Sequence, residues 1–202
     1  MRFSTTSRIA ALAAALAAFL SSRPASAQQD VITVATVSGS GTVDVPIYIR
    51  DVSGTPLGVD QPPGSKIQSY SIKVDYTPTT PTATISRAGI TASLSPSFES
   101  APSSAGSASL LDTFQESTNP IPFTLNAPAP GNQVAHMLVT IPGSIMPGTV
   151  IPLTLDPALT QLTDESGSAA TKETMANGRL TLVNGSITVT AAPVELQRFE
   201  VE

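Results

Sequence analysis

The sequence predicts an all-β chain folded as two packed antiparallel sheets, a sandwich of about nine strands. Composition points there first: 18 Pro and 13 Gly lie among abundant Ser, Thr and Val, and only 12% of residues are charged. Such a mixture suits short strands joined by tight turns and disfavours long helices. Periodicity points there too, because apolar and polar residues alternate strictly over several tracts, placing each set on its own face. The spacing of turn residues agrees, with breakers recurring every ten residues or so. Each sheet then has one apolar face to bury against the other.

Residues 1–27 read as a secretory signal peptide. Arg2 and Arg8 form a basic start, Ile9 to Leu20 is an Ala/Leu-rich run, and Ala25-Ser26-Ala27 fits a cleavage site. The apolar run is shorter than the roughly 20 residues of a membrane span. The folded domain is expected over 28–190 and a tail over 191–202. The expected destination is outside the cytoplasm: extracellular medium, cell surface or periplasm.

Val31 to Val37 reads as the first strand, ended by Ser38-Gly39-Ser40-Gly41. Val43, Val45, Ile47 and Ile49 alternate with polar neighbours in the next one. Pro46 has no N–H for a ladder, which predicts an edge or bulged strand. Asp51 to Ser65 is a loop. Tyr70, Ile72, Val74 and Tyr76 should face inward and Ser69, Ser71, Lys73 and Asp75 outward, with Thr77-Pro78 ending the strand. Short strands are expected at Thr82–Ile85, Ile90–Leu94, Leu110–Phe114 and Ile121–Leu125, with a loop over Ser100–Ser109. Val134–Ile141, Val150–Leu155 and Ala158–Leu162 follow. Arg179–Val183 and Ser186–Thr190 flank Asn184-Gly185, a strong hairpin signal.

Two of these stretches, Ile67 to Pro78 and Asn184 to Val189, resemble the third and last strands of a cohesin domain. The order of the intervening pieces is similar as well: a Val-rich second strand, Tyr76-Thr77-Pro78 where cohesins show Tyr-Asp-Pro, the long apolar strand Gln133–Ile141, and Gly148-Thr149-Val150. The resemblance spans about Val31 to Val189 and implies a jelly-roll sandwich. It also implies a non-catalytic module that holds a dockerin-type protein partner on one sheet, with Ser69, Ser71, Lys73 and Asp75 in the partner-binding row. Cohesins can carry Asn and Asp where this chain has Ser69 and Ser71, so charge and reach are reduced there.

Other chemistries find little support in the residues. The net charge of −5 disfavours nucleic acid and anionic lipid as partners, and no apolar stretch beyond the leader has the length of a membrane span. Without Cys there is no disulfide and no thiolate site. His136, the single histidine, sits in an apolar strand with no G-x-S-x-G elbow in the chain. Asp156, Asp164 and Glu165 form the densest acidic patch, which a polar turn explains without glycosidase or calcium chemistry. The expected protein is therefore not an enzyme and has no assigned metal or cofactor. Two further readings stay open: a polysaccharide-binding module using Tyr48, and a surface structural protein that self-associates through an edge strand.

Overall fold

The computed structural model describes residues 28–192; the expected leader and residues 193–202 of the tail lie outside them. Two sheets form the domain. The first is ordered β13 (Leu180–Val183), β1 (Asp30–Val34), β3 (Thr42–Arg50), β9 (Asn132–Thr140) and β5 (Thr82–Arg87). The second runs β12 (Glu173–Thr174), β11 (Gln161–Thr163), β4 (Ser69–Tyr76), β10 (Val150–Leu155), β14 (Gly185–Val189) and β2 (Thr36–Gly39). The other edge of β4 carries β8 (Ser107–Thr113), which in turn pairs with β6 (Phe98–Ser100) and β7 (Ser103–Ser104).

Alternation drives the packing. Val45, Ile47 and Ile49 of β3 and Met137 and Val139 of β9 are fully buried, as are Tyr70, Ile72 and Val74 of β4 and Ile151 and Leu153 of β10. These sets meet between the sheets in one continuous apolar core, the arrangement in which each sheet removes the other's apolar face from water. His136 faces outward between buried Ala135 and Met137, as the alternation requires.

Several expected elements take a different form. Val31–Val37 is two strands broken at Ala35: β1 lies in the first sheet and β2 in the second. Asn184-Gly185 is not a hairpin turn. There β13 leaves the first sheet and β14 enters the second, each parallel to β1 or β2 with a constant register, Thr33 beside Val183 and Thr36 beside Ser186. The two chain segments thus change sheets side by side. Their approach is close: a Cβ on Gly185 would lie 2.6 Å from the Val34 carbonyl oxygen and closer still to that of Ala35. Only glycine fits.

Pro46 does not put β3 on an edge, since β3 lies between β1 and β9. Its carbonyl accepts from the Ala35 N–H at 3.0 Å, so its missing donor points to the side where β1 is departing. A bulge does follow it: Ile47 pairs with Ala135 and Tyr48 with Gln133, skipping Val134. The expected strand at Ile90–Leu94 is a single 3-10 turn at Gly89–Thr91, because the chain enters it through Gly89 at φ 57°. Ile121–Leu125 has no ladder, and β6 and β7 fall partly within the expected Ser100–Ser109 loop.

Candidate functional site: the outer face of the second sheet

The outer face of β4 is the centre of the site. Its outward row is Ser71, Lys73 and Asp75, all partly exposed. Ser69 belongs to the same row by periodicity but is 6% exposed, and its hydroxyl is committed to the Asp112 carbonyl and the Thr113 hydroxyl at 2.8 and 2.9 Å. It therefore supports the face from below. The register places Leu111 opposite Ser71, Ser109 opposite Lys73 and Ser107 opposite Asp75 on β8. On the other side Gln161 stands opposite Ser71 and Thr154 opposite Asp75.

Between Leu155 and Gln161 the chain breaks its pairing with β4, and the resulting turn shapes the site. The Asp156 N–H donates to the Lys73 carbonyl at 2.9 Å, and the Asp156 carbonyl accepts from Leu159 and Thr160. The Ser71 hydroxyl then donates to the Leu159 carbonyl at 2.7 Å. So pinned, the turn holds the Leu159 side chain 52% exposed. A depression of about 240 Å³ lies between this turn and Ser100–Pro102, lined by Ser71, Lys73, Ser109, Leu111 and Leu159. Phe98, opposite Thr113 on the same face, is 54% exposed.

Charge is concentrated at one point of this otherwise hydroxyl-rich surface. The Lys73 ammonium lies 2.9 Å from Asp156 Oδ2 and 3.3 Å from Asp75 Oδ1. Hydrogen bonding to Asp156 and then to Asp75 holds the Lys73 pKa above its ordinary value, while Lys73 and the Ala158 N–H hold Asp156 below the usual carboxylate range. The triad is a fixed minus–plus–minus pattern in which one carboxylate exceeds the local positive charge.

The remaining candidates lie elsewhere. His136 Nδ1 is 3.1 Å from Asp44 Oδ1 on the outer face of the first sheet, its one side-chain hydrogen bond among the described residues. Asp164 is buried and saturated by Ser166, Ser168 and Thr171, and Glu165 accepts from the Glu116 N–H. Tyr70 and Tyr76 are buried, and Tyr48 is half-buried on the first sheet. No helix among the described residues is long and apolar enough to cross a membrane.

Sequence reasoning missed Leu111, Leu159, Phe98 and the role of Asp156. One signal was present for Leu111: adjacent Leu110 and Leu111 in a strand cannot both face the core. Leu159 had none, because its exposure follows from a turn pinned by a strand far away in sequence.

No protein-family model matches the chain, and no curated protein matches it. Solved structures do. The third ScaC cohesin of Acetivibrio cellulolyticus, in complex with the ScaB dockerin, superposes with a TM-score of 0.58 at 18% identity over 81% of this chain and 100% of that one. The CaCohA2 solution structure from Clostridium acetobutylicum gives 0.55 at 20%, covering 81% and 92%. A non-cellulosomal cohesin from the archaeon Archaeoglobus fulgidus gives 0.51 at 10%, also covering 81% and 92%.

Proposed function

The chain has the cohesin fold, and from that premise we propose that it is a non-catalytic binding module that seats a protein partner of the dockerin type on the outer face of its second sheet. The leader at residues 1–27 supports export, so the partner would be met outside the cytoplasm. One observation carries the reading: the face on β4 and β8 presents Leu111 and Leu159 around a hydroxyl-lined depression, beside the fixed Asp75–Lys73–Asp156 triad. Apolar anchors with a polar, pre-organised surround are the makings of an interface core. Ser71, Lys73 and Asp75 are the part of that face supplied by β4.

The test is capture of dockerin-bearing proteins by the immobilised protein. Leu111→Asp places a charge in the centre of the depression, and Lys73→Glu sets three carboxylates together; each should weaken capture at least about tenfold, the usual scale for a central interface residue. Leu138→Asp, on the outer face of the first sheet, should leave it unchanged. Capture insensitive to Leu111→Asp and Lys73→Glu would move the interface off this face. The same complexes measured at raised salt should weaken, because the triad is partly exposed.

A further inference from the structure

At one end of the sandwich, remote from the proposed interface, two carboxyl groups meet across the sheets: Asp30, which opens β1 of the first, and Glu173, in β12 of the second. Both are fully buried. Each uses one oxygen to hold the 51–65 loop. Asp30 Oδ1 accepts from the Val52 N–H at 2.7 Å, and Glu173 Oε1 accepts from the Leu57 N–H at 3.1 Å. Their second oxygens, Asp30 Oδ2 and Glu173 Oε2, are buried and have no other partner among the described residues. The two side chains stand within hydrogen-bonding reach of each other. Two ionised carboxylates would only repel there, because neither has a hydrogen to offer. One proton between them turns the contact into a charge-assisted O–H···O bond and removes one of two buried charges.

The charges around the pair do not replace that proton. Asp51, itself buried, sets a third carboxyl against both groups. Arg179 faces Glu173, but its guanidinium donates to the Ala170 and Lys172 carbonyls. Asp60 and Lys66 face Asp51, and the Lys66 ammonium donates to the Val59 and Gln61 carbonyls. Burial, and after it the charge of Glu173, pushes the Asp30 carboxyl up to about 9, and burial pushes Glu173 up to about 7.

We propose that Asp30 and Glu173 share a proton that latches the 51–65 loop to both sheets, and that alkaline pH opens the latch. While the proton is present, the two carboxyls hold each other and present their free oxygens to Val52 and Leu57. Once it is lost, like charges meet in a buried place beside Asp51, and the loop that rests on them is released. The sign follows from the folded state holding the proton more tightly than the unfolded one. The latch is therefore at full strength at acid pH, weakens as pH rises, and is lost above about 9. The core between the sheets and the outer face of β4 take no part in it.

Carboxyl carbon-13 NMR of the labelled protein, titrated in EDTA from acid to alkaline pH, reads the pair directly. The Asp30 and Glu173 signals should share an inflection near pH 9, far above the roughly 4 of an ordinary carboxyl. Amide hydrogen exchange, corrected for its intrinsic pH dependence, reads the loop. Protection of Val52 and Leu57 should fall at least about tenfold across that inflection, while the amides within β3 and β9 keep theirs. Asp30→Asn and Glu173→Gln each supply a permanent N–H in place of the proton, so loop protection should then stay level with pH. Asp51→Asn removes a buried charge but leaves the pair, so its loop should still open in alkali. Both signals titrating in the ordinary carboxyl range, loop protection in the parent that ignores pH, or alkaline opening retained in Asp30→Asn and Glu173→Gln would overturn the proposal. The parent titration decides the matter even where a variant does not fold.

Discussion

Replacing Gly185 by Ala adds one methyl group at the place where two chain segments change sheets together. The new Cβ would stand 2.6 Å from the Val34 carbonyl oxygen and closer to that of Ala35. Neither oxygen can step aside cheaply. Val34 and Ala35 connect β1 to β2, the Ala35 N–H is bonded to Pro46, and the parallel ladders on either side fix the spacing. Relief therefore requires the two segments to part. Overpacking of this kind costs about 1–3 kcal/mol, and losing one or two ladder bonds adds about 1 kcal/mol each. The reduced freedom of the unfolded chain returns about 0.4–1 kcal/mol. The net is about 2–4 kcal/mol, which in a domain of this size lowers Tm by roughly 5–15 °C. Gly143→Ala is the control, because nothing lies within 4 Å of its added Cβ and its φ is not left-handed; it should gain up to about 1 kcal/mol. Urea and thermal melts followed by circular dichroism measure both. Equal melting of Gly185→Ala and the parent, or an equal loss in Gly143→Ala, would refute the crossing geometry.

Asp112 supplies a pH prediction. Burial, opposed by the Tyr70 hydroxyl donating at 2.8 Å, pushes its carboxyl from 3.8 to about 6, with Glu99 and Arg87 also facing it. The folded state holds this proton more tightly than the unfolded one, so the associated stability is complete at acid pH and is lost as pH rises through about 6. That is worth up to about 3 kcal/mol. Asp112→Asn should thus gain stability relative to the parent between about pH 4 and pH 7 in urea melts; a pH-independent difference would contradict it. Leu57→Ala, which empties a fully buried position within the 51–65 loop, should cost about 2–5 kcal/mol in the same assay. Lys73→Met should leave the melting curve in place while weakening partner capture, since its ion pairs are partly exposed.

Where a strand is long and has one face against the core, its sequence declared it. β3, β4, β9 and β10 all show period-two patterning. The failures have a common physical origin in partners distant along the chain. Asn184-Gly185 carries every local mark of a hairpin, yet the segments it joins find parallel partners in β1 and β2, at the opposite end of the sequence. Ile121 and Phe123 alternate in burial like a strand, but Pro120 and Pro122 remove donors. The neighbouring N–H groups are met by side chains instead, Ile121 by Gln68 and Thr124 by Asn132. Ser69 obeyed its predicted side but is buried, its hydroxyl taken up by the Asp112 carbonyl and the Thr113 hydroxyl of β8. The outward row of β4 was legible, whereas the place of the 156–160 turn beside it was not, because the turn closed by Asp156 is held there by hydrogen bonds to Lys73 and Ser71 of β4.

The parallel course of β1 with β13 and of β2 with β14 has a mechanical corollary. The chain enters the domain at Asp30, at one end of these paired strands, and leaves past Val189, at the other. Tension applied through the two termini is therefore directed along the strands and loads both ladders in shear. Their hydrogen bonds must fail together rather than peel away singly. Force applied between the two ends of the domain would pass through both ladders, and single-molecule pulling should record one high-force rupture rather than a stepwise unravelling.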